Sequence, residues 1–159
     1  MSNDERFPSR KHPRLKKYDY SEPNYYFITI CTWQKLCLFG AAGSLNLYGK
    51  IAEQGILQIE AHFPNIRVDK YVIMPNHVHL ILDLQRKGVS ISQVIGQYKA
   101  FVTKEIRKIK PEKKVWQASF HDHIIRNQKS YETIWLYIDS NSRNWEKDCF
   151  FENNTLKYT

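Results

Sequence analysis

The sequence predicts an α+β fold built on one antiparallel sheet, and three observations carry that prediction. Residues 66–74 (IRVDKYVIM) and 77–83 (HVHLILD) read as two strands joined at a tight Pro75-Asn76 corner. An apolar series at Ile91, Val94, Ile95, Tyr98, Phe101, Val102 and Ile106 has the spacing of one helix face. The remaining elements, taken along the chain, complete a β-α-β-β-α-β order followed by one more helix.

Residues 1–23 are polar and Pro-punctuated, with Arg10, Lys11, Arg14, Lys16 and Lys17 clustered. They are expected to form a basic arm, suited to lying along a phosphate backbone. The first strand is expected over 25–32 (YYFITICT), rich in aromatic and β-branched residues. A turn follows around Gly40 and Gly43. Ile51, Ile56, Ile59 and Phe63 then mark a helix that Pro64 helps to end. After the break at Gly88, Ser90 or Ser92 is placed to cap the helix carrying the long apolar series. A Lys-rich connection leads to a short fourth strand near 119–125, and a third helix starts at about Ser130. The arrangement is the ferredoxin-like, split βαβ one: a single antiparallel sheet with helices packed on one face. One domain over 24–150 is expected between the arm and a 151–159 tail.

Composition narrows the functions. The chain has 159 residues, about one domain's worth, with 42% apolar residues and a net charge of +8. A basic chain with 14% aromatics suits a single-stranded nucleic acid, because bases stack on rings while cations track phosphates. Three cysteines, odd in number and without CxxC spacing, argue against a disulfide framework and for a reducing, cytoplasmic setting. The N-terminal residues have no signal-peptide pattern, and no apolar run approaches the ~18–20 residues that span a bilayer, so no membrane association is expected.

The sharpest chemical pattern is His77-Val78-His79. On a strand, alternate side chains share a face, so both imidazoles point away from Val78, Leu80 and Leu82 and toward an accessible surface, spaced to hold one cation. His121 and His123 form a competing pair by the same rule, whereas His12 and His62 have no partner at useful spacing. Two neutral nitrogen ligands, a third oxygen ligand and a substrate phosphate would suit Mg2+ or Mn2+. Such an ion needs a nucleophile. Of ten tyrosines, Tyr98 belongs to a core stripe and Tyr25, Tyr26 and Tyr71 lie on strands. In the third helix the stripe is Tyr131, Ile134, Trp135 and Ile138. Tyr137 lies off it, with Asn141 one turn further along the same side, so the two point away from that helix's own core.

The blocks HVH within MPNHVHLIL, WQASFHDHIIRN (116–127), and YIDSN followed by W and D (137–148) resemble, in order, those of REP-associated tyrosine transposases, relatives of the insertion-sequence HUH transposases. The opening RKHPRLKKYDYSEPNYYFITICT is similar as well, so the resemblance runs from about Arg10 to Asp148. It implies a ferredoxin-like homodimer in which His77 and His79 bind the metal, Asn141 is the third ligand and Tyr137 is the nucleophile. It also implies that residues 10–17 help to recognise sequence beside a single-stranded DNA hairpin. Ser142 departs from the family, which usually has Pro after this asparagine. The expected activity is metal-dependent cutting and rejoining of single-stranded DNA through a 5′-phosphotyrosine, at hairpin-forming repeats. Lys104, Arg107 and Lys108, with Lys110, Lys113 and Lys114, are candidates to line the DNA path. Two alternatives use the same residues differently: a domesticated hairpin-binding protein that does not cut, and a metal-dependent RNA phosphodiesterase that does not need Tyr137.

Overall fold

The computed structural model describes residues 18–148. Arg10, Lys11, Arg14, Lys16 and Lys17 lie outside the described residues, as does the 151–159 tail. Of the expected arm, residues 18–23 are described. Tyr20 is buried in the core and the Tyr18 hydroxyl meets that of Tyr26 at 3.0 Å.

Four strands make the main sheet: β1 (Asn24–Cys31), β4 (Ile66–Met74), β5 (His77–Leu84) and β6 (His121–Ile125). Their order is β4-β5-β1-β6, and every neighbour is antiparallel. A two-stranded hairpin, β2 (Gly40–Ala41) and β3 (Ser44–Leu45), occupies the predicted turn, with Gly40 and Gly43 at φ +97° and +77°. Helix α1 (Leu47–Leu57) and a short α2 (Ile59–His62) precede β4, α3 (Ile91–Ile109) joins β5 to β6, and α4 (Gln128–Ser140) closes the series. The fold is thus the α+β, split βαβ arrangement expected from the sequence. Among the described residues no helix is long and apolar enough to cross a membrane.

Strand alternation divides the molecule into two layers. Tyr26, Ile28 and Ile30 of β1, with Val78, Leu80, Leu82 and Leu84 of β5, face the buried stripe Val94, Ile95, Tyr98, Val102 and Ile106 of α3. Ser90 starts α3 with a reciprocal capping box, its side chain accepting from Gln93 N while Gln93 Oε1 accepts from Ser90 N. On the opposite face, Phe27, Ile81 and Ile125 pack against Ile134, Tyr137 and Ile138 of α4. The helices therefore do not share one face. α4 covers the face that bears the histidines, and the surface expected to be accessible there is closed.

α1 and α3 approach closely at Gly55, where a Cβ would sit 2.9 Å from Tyr98 Cε2 and 3.0 Å from Phe101 Cδ1. The Tyr98 hydroxyl donates to Ala52 O at 3.0 Å, which prevents the ring from withdrawing. Gly55→Ala should gain ~1 kcal/mol of helix propensity but incur an overpacking cost of about 1–3 kcal/mol. The expected net result is a lower Tm by calorimetry; a raised Tm would show that the contact relaxes freely.

Candidate metal centre and tyrosine

β1 and β5 fix the two histidines. The register pairs Thr29 with His79 and Cys31 with His77, so these side chains share one face. His79 Nδ1 meets Thr29 Oγ1 at 2.8 Å, and His77 Nδ1 meets Asn76 Oδ1, from the β4–β5 corner, at 2.8 Å. Each imidazole is thereby oriented through one nitrogen and left to present Nε2. The ring centroids lie 4.5 Å apart. Both residues are essentially inaccessible, at 0% and 1% exposed.

α4 brings the other groups. Its last residues precede Asn141, which caps the helix with αR backbone angles, and the chain continues into a 3-10 segment, Ser142–Lys147. The helix ends there with Ser142, not a proline, as the next residue. Trp145 of that segment is buried with Cys37 and Met74, and its ring centroid lies 6.0 Å from that of His77. This turn delivers Asp148 to the histidines. Asp148 Oδ2 accepts from Asn141 Nδ2 at 2.7 Å and from the Tyr137 hydroxyl at 3.2 Å. The same hydroxyl lies 3.5 Å from His79 Nε2, and the Tyr137 ring packs edge-on to Phe27.

Tyr137 and Asn141 thus share a side of α4, as their spacing predicts. That side is buried, which corrects the expectation that they face away from the core: Tyr137 is 7% exposed. α4 presents Ile134, Tyr137, Ile138 and Asn141 inward, and Tyr131 and Trp135 are only half-buried flanks. The helix turns this way because its ends are tied across to β4. Tyr131 donates to Asp69, and Lys70 pairs with Asp139 while lying over the Trp135 ring.

Ligand atoms of His77, His79 and Asp148 all lie within 4.8 Å of one another, and these residues suit a divalent metal site. Donors around a small divalent ion at ~2.1 Å would stand about 3–4 Å apart, close to this spread. The chemistry of the donors also fits. His77 Nε2 and Asp148 Oδ2 are 3.8 Å apart, a gap too long for a hydrogen bond. Asn141 Oδ1 is buried and accepts no hydrogen bond, a costly state for an amide oxygen unless something else occupies it. Burial pushes the His77 imidazole down to about 3, opposed by the Asn141 carboxamide and assisted by the nearby Lys35 charge. Burial, then the neighbouring His77, holds His79 well below its usual range, with the Asp148 carboxylate opposing. Both rings are therefore neutral near pH 7, as metal ligands must be.

The competing pair does not join this cluster. His121 is exposed and His123 half-buried on β6, one strand beyond β1. His62 lies on the surface with Nδ1 against Gln58 O. Lys104, Arg107 and Lys108 sit on α3, across the sheet from the histidines, and Lys108 is paired with Glu105 at 2.7 Å. Asp148, Thr29 and Asn76 were not predicted as site residues. Asp148 stood at the end of the YIDSN…W…D block, the one sequence signal that could have found it.

Residues 50–141 match the family described as IS200-like transposases. An uncharacterised protein of Haemophilus influenzae is 38% identical over 167 residues, spanning 89% of this chain and 93% of that protein. The chain belongs to the IS200-like transposase family. Among solved structures, a REP-associated tyrosine transposase bound to a REP hairpin superposes with a TM-score of 0.60 at 21% identity, covering 82% of this chain and 73% of that one. A candidate transposase from Deinococcus radiodurans R1 gives a TM-score of 0.54 at 15% identity, covering 80% and 95%. These two likenesses are likenesses of fold.

Two outcomes test the site. Thr29→Val removes the group that orients His79 while keeping its shape, and Mn2+ affinity by calorimetry should fall about 10–100-fold; unchanged affinity would detach Thr29 from the site. The depressed histidines also set a pH dependence. The unfolded chain takes up protons near 6.5 while the folded one does not, so their stabilisation is present above that value and is lost as pH falls toward about 3. In urea titrations with chelator, from about pH 7 to about pH 5, wild type should lose roughly 2 kcal/mol in total more than His77→Asn. Equal losses would mean His77 protonates freely in the fold.

Proposed function

We propose that the chain is a metal-dependent endonuclease and strand transferase for single-stranded DNA, acting through a 5′-phosphotyrosine at hairpin-forming repeats. One observation carries this reading: the Tyr137 hydroxyl lies in the same buried nest as His77 Nε2, His79 Nε2, Asn141 Oδ1 and Asp148 Oδ2. Membership of a transposase family supports a DNA-processing role, and the structural relative bound to a REP hairpin supports a hairpin as partner.

His77 Nε2, His79 Nε2 and Asn141 Oδ1 would hold Mg2+ or Mn2+, leaving the neighbouring Asp148 to the phenol. Bound there, the ion would supply Lewis-acid polarisation of a phosphodiester oxygen. The protein's own groups do the rest. Tyr137 is the nucleophile: its oxygen forms a bond to phosphorus while the bond to the upstream 3′ oxygen breaks. The phenol proton leaves toward Asp148 Oδ2, which already accepts its hydrogen bond. The departing 3′ oxygen takes up a proton from water, and the products are a 5′-phosphotyrosyl enzyme and a DNA 3′-hydroxyl. Attack by another 3′-hydroxyl reverses the step and joins strands without an external energy source. Phe27 and Trp145 help to keep water from the nest. Because Tyr137 stands beside the histidines of its own chain, cleavage needs no second subunit, and the expected homodimer would serve DNA binding rather than chemistry. The basic arm at Arg10, Lys11, Arg14, Lys16 and Lys17 would contribute to hairpin recognition.

The closure of the nest favours one second reading, a hairpin-binding protein that does not cut. Tyr137→Phe separates the two, since the Phe ring keeps the packing against Phe27 and removes only the hydroxyl. With labelled hairpin oligonucleotides from the genomic flanks and Mg2+ or Mn2+, wild type should give a covalent protein–DNA band on denaturing gels. Chelator or Tyr137→Phe should abolish the band while native-gel binding persists. Cleavage that survives Tyr137→Phe would sink the tyrosine mechanism, and binding without any wild-type adduct would put the second reading first.

A further inference from the structure

A groove of about 590 Å3 lies along the side of α3 that does not enter the core, a size within the ~300–1,000 Å3 usual for ligand sites. It is lined by Lys99, Lys104 and Arg107 of α3, by Lys114 and Trp116 from the stretch before β6, and by Trp33 just beyond β1. Its wall is firmly built. Trp116 Nε1 donates to Lys99 O at 3.2 Å, and the indole packs on Phe39 and Tyr98 with centroids 5.5 and 5.8 Å away. Lys99 Nζ in turn donates to Gln117 O at 2.7 Å. The Trp33 amide donates to Val115 O, which fixes that half-exposed indole at the groove, with the Lys114 ammonium 4.6 Å over its ring.

Four cations and two indoles line this groove, and no carboxylate is among the lining residues. That combination has a specific complement. Duplex phosphates would satisfy the cations but leave the indoles without a role, whereas an unpaired strand offers bases to stack and phosphates to pair. The groove is also coupled to the metal centre. Thr32, next to Trp33, donates to Asn76 O through its amide at 2.9 Å, while its hydroxyl donates to Leu36 O at 2.6 Å, and Asn76 Oδ1 holds His77 Nδ1.

We propose that this groove binds an unpaired stretch of the DNA strand, with a base stacked on Trp33 and the phosphates held by Lys104, Arg107 and Lys114. Lys114 moves from the indole face to a phosphate as the base enters. The assignment rests on the reading of the protein as one that acts on single-stranded DNA, and it adds where that strand lies and what reads it.

The test uses the full chain with chelator present, so that no cutting occurs, and a short oligothymidylate as probe. Affinity is followed by tryptophan fluorescence across a salt series. Trp33→Ala should weaken binding roughly 5- to 150-fold, the range for losing one stacked base. Lys104→Ala with Arg107→Ala, both on an exposed helix surface, should lower the slope of log affinity against log salt by about 1.4, at ~0.7 per lost phosphate contact. Unchanged affinity and slope in both variants would overturn the proposal. So would an equal loss on a blunt duplex of the same length, which would make the groove a duplex-backbone site. The adduct assay on the same proteins separates the two readings. An intact covalent band with no groove effect condemns the groove alone, and a groove effect without any wild-type band condemns the chemistry alone.

Discussion

The pairing register between β1 and β5 is the constraint on which the rest of the structure depends. It sets Thr29 opposite His79 and Cys31 opposite His77, and it sends Ile28, Ile30, Val78 and Leu80 to the other face. A slip of one residue would exchange the two sets, placing imidazoles against α3 and aliphatic side chains under α4. The register is held by that burial difference, so the hydrophobic layer beneath α1 and α3 and the polar nest beneath α4 specify each other. The Pro75-Asn76 corner adds to it, because Asn76 both turns the chain and hydrogen-bonds His77.

Burying this many polar groups is expensive, and the arrangement limits the cost in recognisable ways. The two imidazoles are held neutral by their surroundings, so no cationic charge is desolvated. Asp148 accepts two hydrogen bonds, from Asn141 and Tyr137, which compensate part of the hydration it gives up. Within the nest, Asn141 Oδ1 and His77 Nε2 are left without a hydrogen bond. An uncompensated acceptor facing a cluster of lone pairs is what a cation would stabilise, so a metal bound there would also stabilise the fold. On the proposed mechanism, the 142–148 turn, which carries Trp145 and Asp148 over the nest, is the element that would have to adjust for a phosphodiester to reach Tyr137.

Much of this was legible in the sequence because it depends on period. The two-residue alternation of β5 located the histidine pair, and the 3.6-residue stripe of α3 with its Ser90 cap located the longest helix. The element order then gave the split βαβ sheet. Period alone could not tell which surface α4 would meet. Tyr131, Ile134, Trp135 and Ile138 are as good a stripe as Ile134, Tyr137, Ile138 and Asn141, and the choice was made by Asp69 and Lys70 on β4, far away in the chain. Asp148 was hidden for another reason: it lies in a non-periodic turn, and its place beside His77 follows from the burial of Trp145. The groove was legible only as scattered lysines, since its shape comes from Trp116 being anchored to α3.

The central claim is that one particular oxygen, that of Tyr137, becomes bonded to DNA. The direct measurement is mass spectrometry of the trapped protein–DNA adduct after nuclease and trypsin digestion. Cleavage after Lys129 and Arg143 releases a single peptide holding Tyr137 together with Tyr131, whose hydroxyl is committed to Asp69 outside the nest. Fragmentation of that peptide should place the residual nucleotide on Tyr137 and leave Tyr131 unmodified. A nucleotide on any other residue, or strands cut with no peptide modified, would contradict the account.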